Sequence, residues 1–68
     1  MSKANPDIRK AMENKFIRAW QISDRIGISE SSYYRIMRRE LSAERKKIIF
    51  NAIDAIVKER EEEGRNHE

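Results

Sequence analysis

A three-residue break between two stretches of helical spacing constrains the fold of this chain more than any other feature. The break is Gly27-Ile28-Ser29, and residues 21–26 and 30–41 flank it. Glycine adopts the positive φ of a helix C-terminus without steric cost, and serine accepts a hydrogen bond from an early N–H of the helix that follows. The isoleucine between them is expected to turn inward. The pattern therefore predicts two helices joined by a tight turn.

Hydrophobic spacing along the whole chain predicts an all-α fold, a compact four-helix domain with this turn at its centre. The predicted helices cover residues about 6–15, 18–25, 30–39 and 43–63. The sequence Asn5-Pro6-Asp7 is typical of a helix start, with the Asn5 side chain as the cap and proline in the first turn. Phe16 and Ile17 form an apolar link that we expect to enter the core.

The length of 68 residues allows one domain. We assign it to residues 6–63. Gly64 is expected to stop the last helix, because glycine is favoured at helix C-termini. Residues 1–5 and 64–68 are accordingly expected to form a flexible N-terminus and a flexible tail.

The charge of the chain is unevenly distributed. Residues 1–47 hold 12 Lys and Arg against 6 Asp and Glu, whereas residues 48–68 hold 3 against 6. The part that contains the two-helix pattern is therefore basic, and the last helix is acidic. A basic surface attracts polyanions, of which phosphate is the most common.

The sequence argues against an enzyme. Cysteine is absent, and the single histidine is His67. No serine or carboxylate has a credible base beside it, and no metal-ligand spacing is present. We therefore expect no cofactor, no metal and no small-molecule substrate. No apolar run reaches the roughly 20 residues of a membrane span, and the lack of cysteine fits a cytoplasmic location.

The second helix of the pair divides into two faces at 100° per residue. Its inward face is expected to carry Tyr33, Ile36 and Met37. Its outward face is expected to carry Ser31, Tyr34, Arg35 and Arg38. Guanidinium, phenol and hydroxyl groups contact DNA bases and phosphates. The outward face therefore predicts a nucleic-acid interface, the alternative being a solvated helix face.

The last predicted helix carries a wide apolar arc. Its centre consists of Ile49, Ala52, Ile53 and Ile56, and its flanks include Ile48, Phe50 and Val57. Two interpretations stand at this point. Either the arc is buried within the monomer, or its flanks form the interface of a homodimer.

The segment Ala19–Met37 places Ile22, Ile26, Gly27-Ile28-Ser29 and Ile36 at the spacing of a known motif. It resembles the helix-turn-helix of lambda-repressor-like proteins, the phage Cro and repressor group. Residues 6–57 are also similar to small regulatory proteins of Gram-positive phages and mobile elements. The resemblance implies that the second helix lies in the major groove, with groove-facing positions at Glu30, Ser31, Tyr34, Arg35 and Arg38. It implies phosphate contacts near the start of the first helix, at Arg18, Trp20 and Gln21. Arg39 lies toward the flank, where we expect a contact with the DNA backbone or with solvent.

Three residues depart from the pattern of that family. Ser23 stands where alanine is usual, Tyr33 where valine or isoleucine is frequent, and Arg18 where serine or threonine caps the helix. A serine hydroxyl can bond back to the preceding turn. A missing cap would cost about 1 kcal/mol if nothing replaced it. Trp20 has two roles open to it, packing against another helix or donating its indole N–H to a phosphate.

Two functions follow from these observations. In the first, the protein is a sequence-specific regulator that binds double-stranded DNA, as a repressor or as an accessory factor of a mobile element. In the second, the same fold is a scaffold, and the protein is a modulator or anti-repressor that binds another protein. The basic charge of residues 1–47 favours DNA, whereas the apolar arc keeps a protein partner open.

Overall fold

The computed structural model describes residues 3–66, and these residues form four helices and no strand. The helices are α1 (Pro6–Asn14), α2 (Ala19–Ile26), α3 (Glu30–Ile36) and α4 (Ala43–Asn66). The predicted all-α, four-helix class is confirmed. Within the described residues, none of the helices combines the length and the apolar character that crossing a membrane requires.

The helices are assembled on α4. Both α1 and α2 pack against α4, and α3 packs against α2. The buried apolar side chains of this core are Ile8, Ile17, Ile22, Tyr33, Met37, Leu41, Ile49, Ala52, Ile53 and Ile56. The predicted central stripe of α4 is therefore confirmed, as are the inward positions of Tyr33 and Met37. Helical periodicity fixes which side chains share a face, so these positions follow directly from the sequence.

The α2–α3 turn has the predicted geometry. Gly27 has a positive φ of 80°, and Ile28 is partly buried against the core. The Ser29 hydroxyl accepts a hydrogen bond from the Ser32 N–H at 3.1 Å, which caps α3. The turn therefore fixes where α3 begins and how it crosses α2.

The start of α2 accommodates two of the unusual residues noted in the sequence. The side-chain oxygen of Gln21 accepts a hydrogen bond from the Arg18 N–H at 2.8 Å, and the Gln21 N–H donates to the Arg18 carbonyl at 3.1 Å, while no side chain takes the place of the serine or threonine cap. Ser23 is buried, and its hydroxyl donates to the Trp20 carbonyl at 3.1 Å. This is the back-bond that a serine at this position was expected to make.

Asn5 differs from its prediction in two ways. Its side chain makes no cap for α1, and the residue is not part of a flexible terminus, since it is 0% exposed. The side chain instead binds backbone groups of residues 37–41, more than 30 positions along the chain. These groups follow the end of α3 and lack partners within that helix. They are therefore available to bind the Asn5 amide, which would otherwise cap α1.

Phe16 also departs from its prediction, because its side chain is 84% exposed. The residue has a positive φ of 57°, and its backbone conformation directs the side chain away from the core. Of these two residues, only Ile17 lies in the core, with a side chain that is 6% exposed. The expectation that both residues enter the core is therefore correct for Ile17 and wrong for Phe16.

Two predicted helix ends need correction as well. α3 ends at Ile36 rather than near residue 39, because the backbone after Ile36 forms a turn whose carbonyls bind other parts of the chain. α4 continues through Gly64 to Asn66, so residues 64–66 are not a separate tail. A glycine inside a helix costs only about 1 kcal/mol relative to alanine. Residues 1, 2, 67 and 68 lie outside the described part of the chain.

Candidate nucleic-acid interface

The outward face of α3 is exposed where the sequence predicted it. Ser31, Tyr34 and Arg35 have exposed side chains on α3. Arg38 is also exposed, but it lies in the turn after Ile36, so its predicted place on the helical face is wrong. The Tyr34 ring packs edge-on against the buried Tyr33 ring, with centroids 5.8 Å apart and an interplanar angle of 72°. The two adjacent tyrosines therefore lie on opposite faces of α3, and the exposed Tyr34 ring packs on the buried Tyr33 ring.

Tyr33 is anchored in turn. Its hydroxyl lies 3.0 Å from the Met12 sulfur of α1, and burial raises the pKa of this phenol. The phenol is therefore neutral at physiological pH and acts as a donor toward α1. The contact links α1 to the helix that presents the arginines.

Glu30 has a partner on the same exposed surface. The Tyr34 hydroxyl donates to the Glu30 carboxylate across one helical turn, with an oxygen–oxygen distance of 3.4 Å. The carboxylate would repel a phosphate placed beside it. The long hydrogen bond leaves it free to accept from an amino group of a base while it orients the phenol.

The C-terminal end of α3 and the start of α4 enclose a second cationic feature, a concavity of about 290 Å³. Its lining includes three arginines, Arg35, Arg39 and Arg45, together with Ser42, which caps α4 by accepting from the Arg45 N–H at 3.3 Å. Guanidinium groups around such a surface can bind phosphate oxygens by paired hydrogen bonds. Glu40 also lines the concavity, and its carboxylate is already bound to the Lys46 ammonium and to the Asn5 N–H.

Arg45 was missed by the sequence analysis. The relevant signal was its place in the first turn of α4, three residues after the capping Ser42. That spacing shows that the residue is near a helix N-terminus, but it does not show that α3 ends beside it. The neighbourhood of Arg45 and Arg35 depends on tertiary packing, which periodicity does not give.

The start of α2 does not join the α3 surface as a unit. Arg18 is exposed. Trp20, at 57% exposure, lines a different concavity together with Gln21 and with Ile56 and Glu59 of α4. The Gln21 side-chain oxygen is occupied by the Arg18 N–H and lies 3.5 Å from the Arg60 guanidinium. Trp20 therefore faces the second half of α4 across this concavity and is mostly exposed to solvent.

The flanks of the apolar arc on α4 lie on different sides of that helix. Phe50 and Val57 are partly buried against the core. Ile48 is 52% exposed and borders an apolar groove of about 310 Å³, which Ile26 and Ile28 also line. At 100° per residue Ile48 is on roughly the opposite side of α4 from the other two. Most of the arc is thus covered within the monomer, and one flat interface cannot use all three residues.

The geometry of the chain is the basis for a functional assignment, because no protein-family model, no curated protein and no solved structure matches it.

Proposed function

We propose that the protein binds double-stranded DNA in a sequence-specific manner, with α3 in the major groove. The observation that carries the proposal is the outward face of α3. It presents the Arg35 guanidinium, a phenol and a hydroxyl on a helix whose opposite face is buried and whose start is fixed by the turn at Gly27, and Arg38 adds a second guanidinium from the turn that follows the helix. The major groove is wide enough to admit an α-helix, and these side chains match its donor and acceptor pattern.

Different residues would take different parts in the complex. Arg35 and Arg38 would bind guanine or phosphate in the bidentate manner typical of arginine. Ser31 and Tyr34 would reach base edges or phosphates, while Glu30 would accept from a cytosine amino group or hold Tyr34. These contacts together would specify the sequence of the site.

A second group of residues would contact the DNA backbone. Arg39 and Arg45 border the concavity beside Arg35, where the groups available are cationic and exposed. Arg18 would supply a cation at the start of α2, whereas Trp20 and Gln21 line a concavity that also contains the carboxylates of Asp24 and Glu59, which disfavours a phosphate there. Phosphate contacts of this kind fix register without specifying sequence.

The charge distribution supports DNA as the partner. The helix-turn-helix lies in the basic part of the chain, and the second half of α4 carries the acidic residues. A phosphate backbone would attract the first and repel the second, which orients the molecule during association. Together with the resemblance to small phage and mobile-element proteins, this favours a cytoplasmic regulator of transcription, excision or replication.

A protein partner is a second candidate, and the apolar groove beside Ile48 is the observation that favours it. Five isoleucines line the groove, together with Ser32 and Arg45. Such a surface would suit a homodimer or another protein bound by a scaffold. Ile48→Lys should then give a folded protein that no longer forms the complex, measured by light scattering for a homodimer. A wild-type protein that is monomeric at high micromolar concentration would dispose of the homodimer.

The test of DNA binding starts from selection of bound sequences out of random duplexes, followed by anisotropy titrations of the enriched duplex. Arg35→Ala combined with Arg38→Ala should weaken binding on the order of 100-fold. The plot of log K against log salt concentration should lose about two units of slope. Circular dichroism should still show a helical protein, since both side chains are exposed.

Lys47→Ala combined with Lys58→Ala is the matched control. It removes the same charge from exposed positions of α4 that lie away from α3. We expect its affinity to fall less than about threefold, the residual effect of net charge. A wild-type protein with no salt-sensitive binding to any duplex at low salt would sink the proposal, as would equal losses in the two double variants.

A further inference from the structure

The segment after α3 is held by a residue from the other end of the chain. Residues 37–41 follow the last helical residue, and within this segment only the N–H groups of Met37 and Arg38 still donate back into α3, to the carbonyls of Tyr33 and Arg35. The Asn5 side-chain amide donates to the Met37 carbonyl at 3.2 Å and to the Arg39 carbonyl at 2.8 Å. Its oxygen accepts from the Leu41 N–H at 2.8 Å. The Asn5 N–H also donates to the Glu40 carboxylate at 2.8 Å.

Asn5 is suited to this role by both its backbone and its side chain. It has a φ of 55° and is 0% exposed. Asparagine enters the left-handed region more readily than most residues. Its short amide supplies two donors and one acceptor from a single plane. All three are used here on backbone groups of residues 37–41, so the residue acts as a bracket around this turn.

Arg9 of α1 reinforces the bracket. Its guanidinium donates to the Met37 carbonyl at 3.1 Å and to the Ala4 carbonyl at 2.8 Å. The Met37 carbonyl therefore receives hydrogen bonds from both Asn5 and Arg9. Arg38 lies between the two carbonyls that Asn5 holds, and Arg39 carries one of them.

We propose that Asn5 and Arg9 are positioning residues for the DNA contacts of Arg38 and Arg39; this inference rests on the proposed function. Neither residue needs to touch DNA. Both fix the direction in which the turn after α3 presents its two guanidinium groups. An arginine on an unfixed turn would lose conformational freedom on binding, and the bracket removes that cost in advance. The N-terminal segment thereby sets the affinity of a surface that lies more than 30 residues away in sequence.

The decisive variant is Asn5→Gly, because glycine keeps the positive φ and removes only the side-chain amide. We expect affinity for the enriched duplex to fall on the order of tenfold and the salt slope to lose about one unit. Asn5 carries no charge, so a change in the salt slope must come from Arg38 or Arg39 no longer contacting phosphate. The titrations are made at a temperature where circular dichroism shows every variant to be folded.

A double-variant cycle separates positioning from a general effect on stability. In a background of Arg38→Ala and Arg39→Ala, the substitution Asn5→Gly should cause no further loss of affinity. A purely structural role would give the same fractional loss in both backgrounds, and that result would overturn the inference.

Arg9→Met and Arg60→Met form a matched pair that covers the case in which Asn5→Gly does not fold. Each removes one guanidinium that donates to two backbone carbonyls, but the carbonyls bound by Arg60 belong to Lys15 and Phe16, at the α1–α2 turn. Arg9→Met should weaken binding and lower the salt slope more than Arg60→Met, whose guanidinium also lies 3.5 Å from the Gln21 side-chain oxygen. Equal effects in the pair would contradict the inference while leaving DNA binding intact. Failure of the wild-type protein to bind any duplex would instead refute the proposed function, and the inference with it.

Discussion

The α1–α2 turn and the α2–α3 turn end their helices in the same way with different residues. In each turn one residue adopts a left-handed conformation and an isoleucine follows it. The left-handed residue is Phe16 in the first turn, with a φ of 57°, and Gly27 in the second, with a φ of 80°. We call this arrangement a left-handed cap.

The hydrogen bonds of the two left-handed caps correspond one to one. After α1 the Ile17 N–H donates to the Met12 carbonyl at 2.9 Å and the Phe16 N–H to Glu13 at 3.2 Å. After α2 the Ile28 N–H donates to the Ser23 carbonyl at 2.9 Å and the Gly27 N–H to Asp24 at 3.3 Å. Both pairs satisfy carbonyls that the helix would otherwise leave without partners.

The difference between the two caps indicates which residue determines the left-handed geometry of the turn. Glycine enters the left-handed region without steric cost, whereas another residue is strained there by about 1–2 kcal/mol. The α1–α2 turn forms in spite of that strain, with an exposed phenylalanine. Both caps contain an isoleucine directly after the left-handed residue. Its side chain packs on the core, and this burial stabilises the reversal of the chain at the helix end.

The largest expected effect tests that role of the isoleucines. Ile17 is almost fully buried and Ile28 only partly. Ile17→Ala should therefore lower the free energy of unfolding by about 2–4 kcal/mol, and Ile28→Ala by roughly half as much. Urea denaturation followed by circular dichroism measures both. If Ile28→Ala proved the more costly, burial of the isoleucine would not be what holds the cap.

A smaller effect is expected at the left-handed position itself. Gly27→Ala should lower the free energy of unfolding by about 1–2 kcal/mol. A Cβ at this position would have no heavy atom within 4 Å, so the whole cost comes from the backbone. Gly64→Ala is the matched control, since its Cβ also meets nothing and the residue lies inside α4. It should stabilise the protein by about 0.5–1 kcal/mol. The same sign for both substitutions would contradict this account.

These glycines also show what the sequence does and does not reveal. Gly27 was correctly predicted to end a helix, but Gly64 was wrongly given the same role. An isoleucine follows Gly27, whereas Arg65 follows Gly64 and offers no apolar side chain to close a cap. An isoleucine in the following position is thus a better signal of a helix end than the glycine itself. Ile17 would by the same rule have indicated the left-handed cap at Phe16.

The candidate interface was partly predictable for a similar reason. The two faces of α3 follow from periodicity, so Ser31, Tyr34 and Arg35 were placed correctly. Arg45 beside Arg35, and Asn5 around the turn after α3, depend on packing between elements far apart in the sequence. A local pattern such as Asn5-Pro6-Asp7 predicts a local cap, because it contains no information about the carbonyls of residues 37 and 39.

Phe16→Gly is expected to have a smaller effect, of opposite sign to Gly27→Ala. It should raise the free energy of unfolding by about 1 kcal/mol or less, since relief of strain is partly offset by the greater freedom of the unfolded chain. The exposed ring contributes little burial. Phe16→Ala keeps the strain and should bring no gain, so an equal gain for alanine and glycine in urea denaturation would show that the ring itself is unfavourable.

The smallest expected effect concerns the α3–α4 connection, which has no left-handed cap and is held by side chains. The Lys46 ammonium binds the carboxylates of both Asp7 and Glu40. This hydrogen bonding holds the pKa of Asp7 below its ordinary 3.8 and that of Glu40 below its ordinary 4.5. Stability from this network is therefore present above those ordinary values and is lost as pH falls through the lowered pKa values.

Lys46→Met removes the network. The stability of the variant should therefore change less between pH 6 and pH 2 than that of the wild type. We expect the urea midpoint of the wild type to exceed that of the variant at pH 6, and the difference to shrink toward pH 2, when measured at low salt. The carboxylates of Asp7 and Glu40 are exposed, so salt should reduce the difference at pH 6 as well. The pKa of Lys46 is raised above its ordinary 10.5, which makes its contribution fade only at strongly alkaline pH. A difference that is constant from pH 6 to pH 2 would mean that Lys46 does not act through the ionised carboxylates of Asp7 and Glu40, and it would contradict this account of the α3–α4 connection.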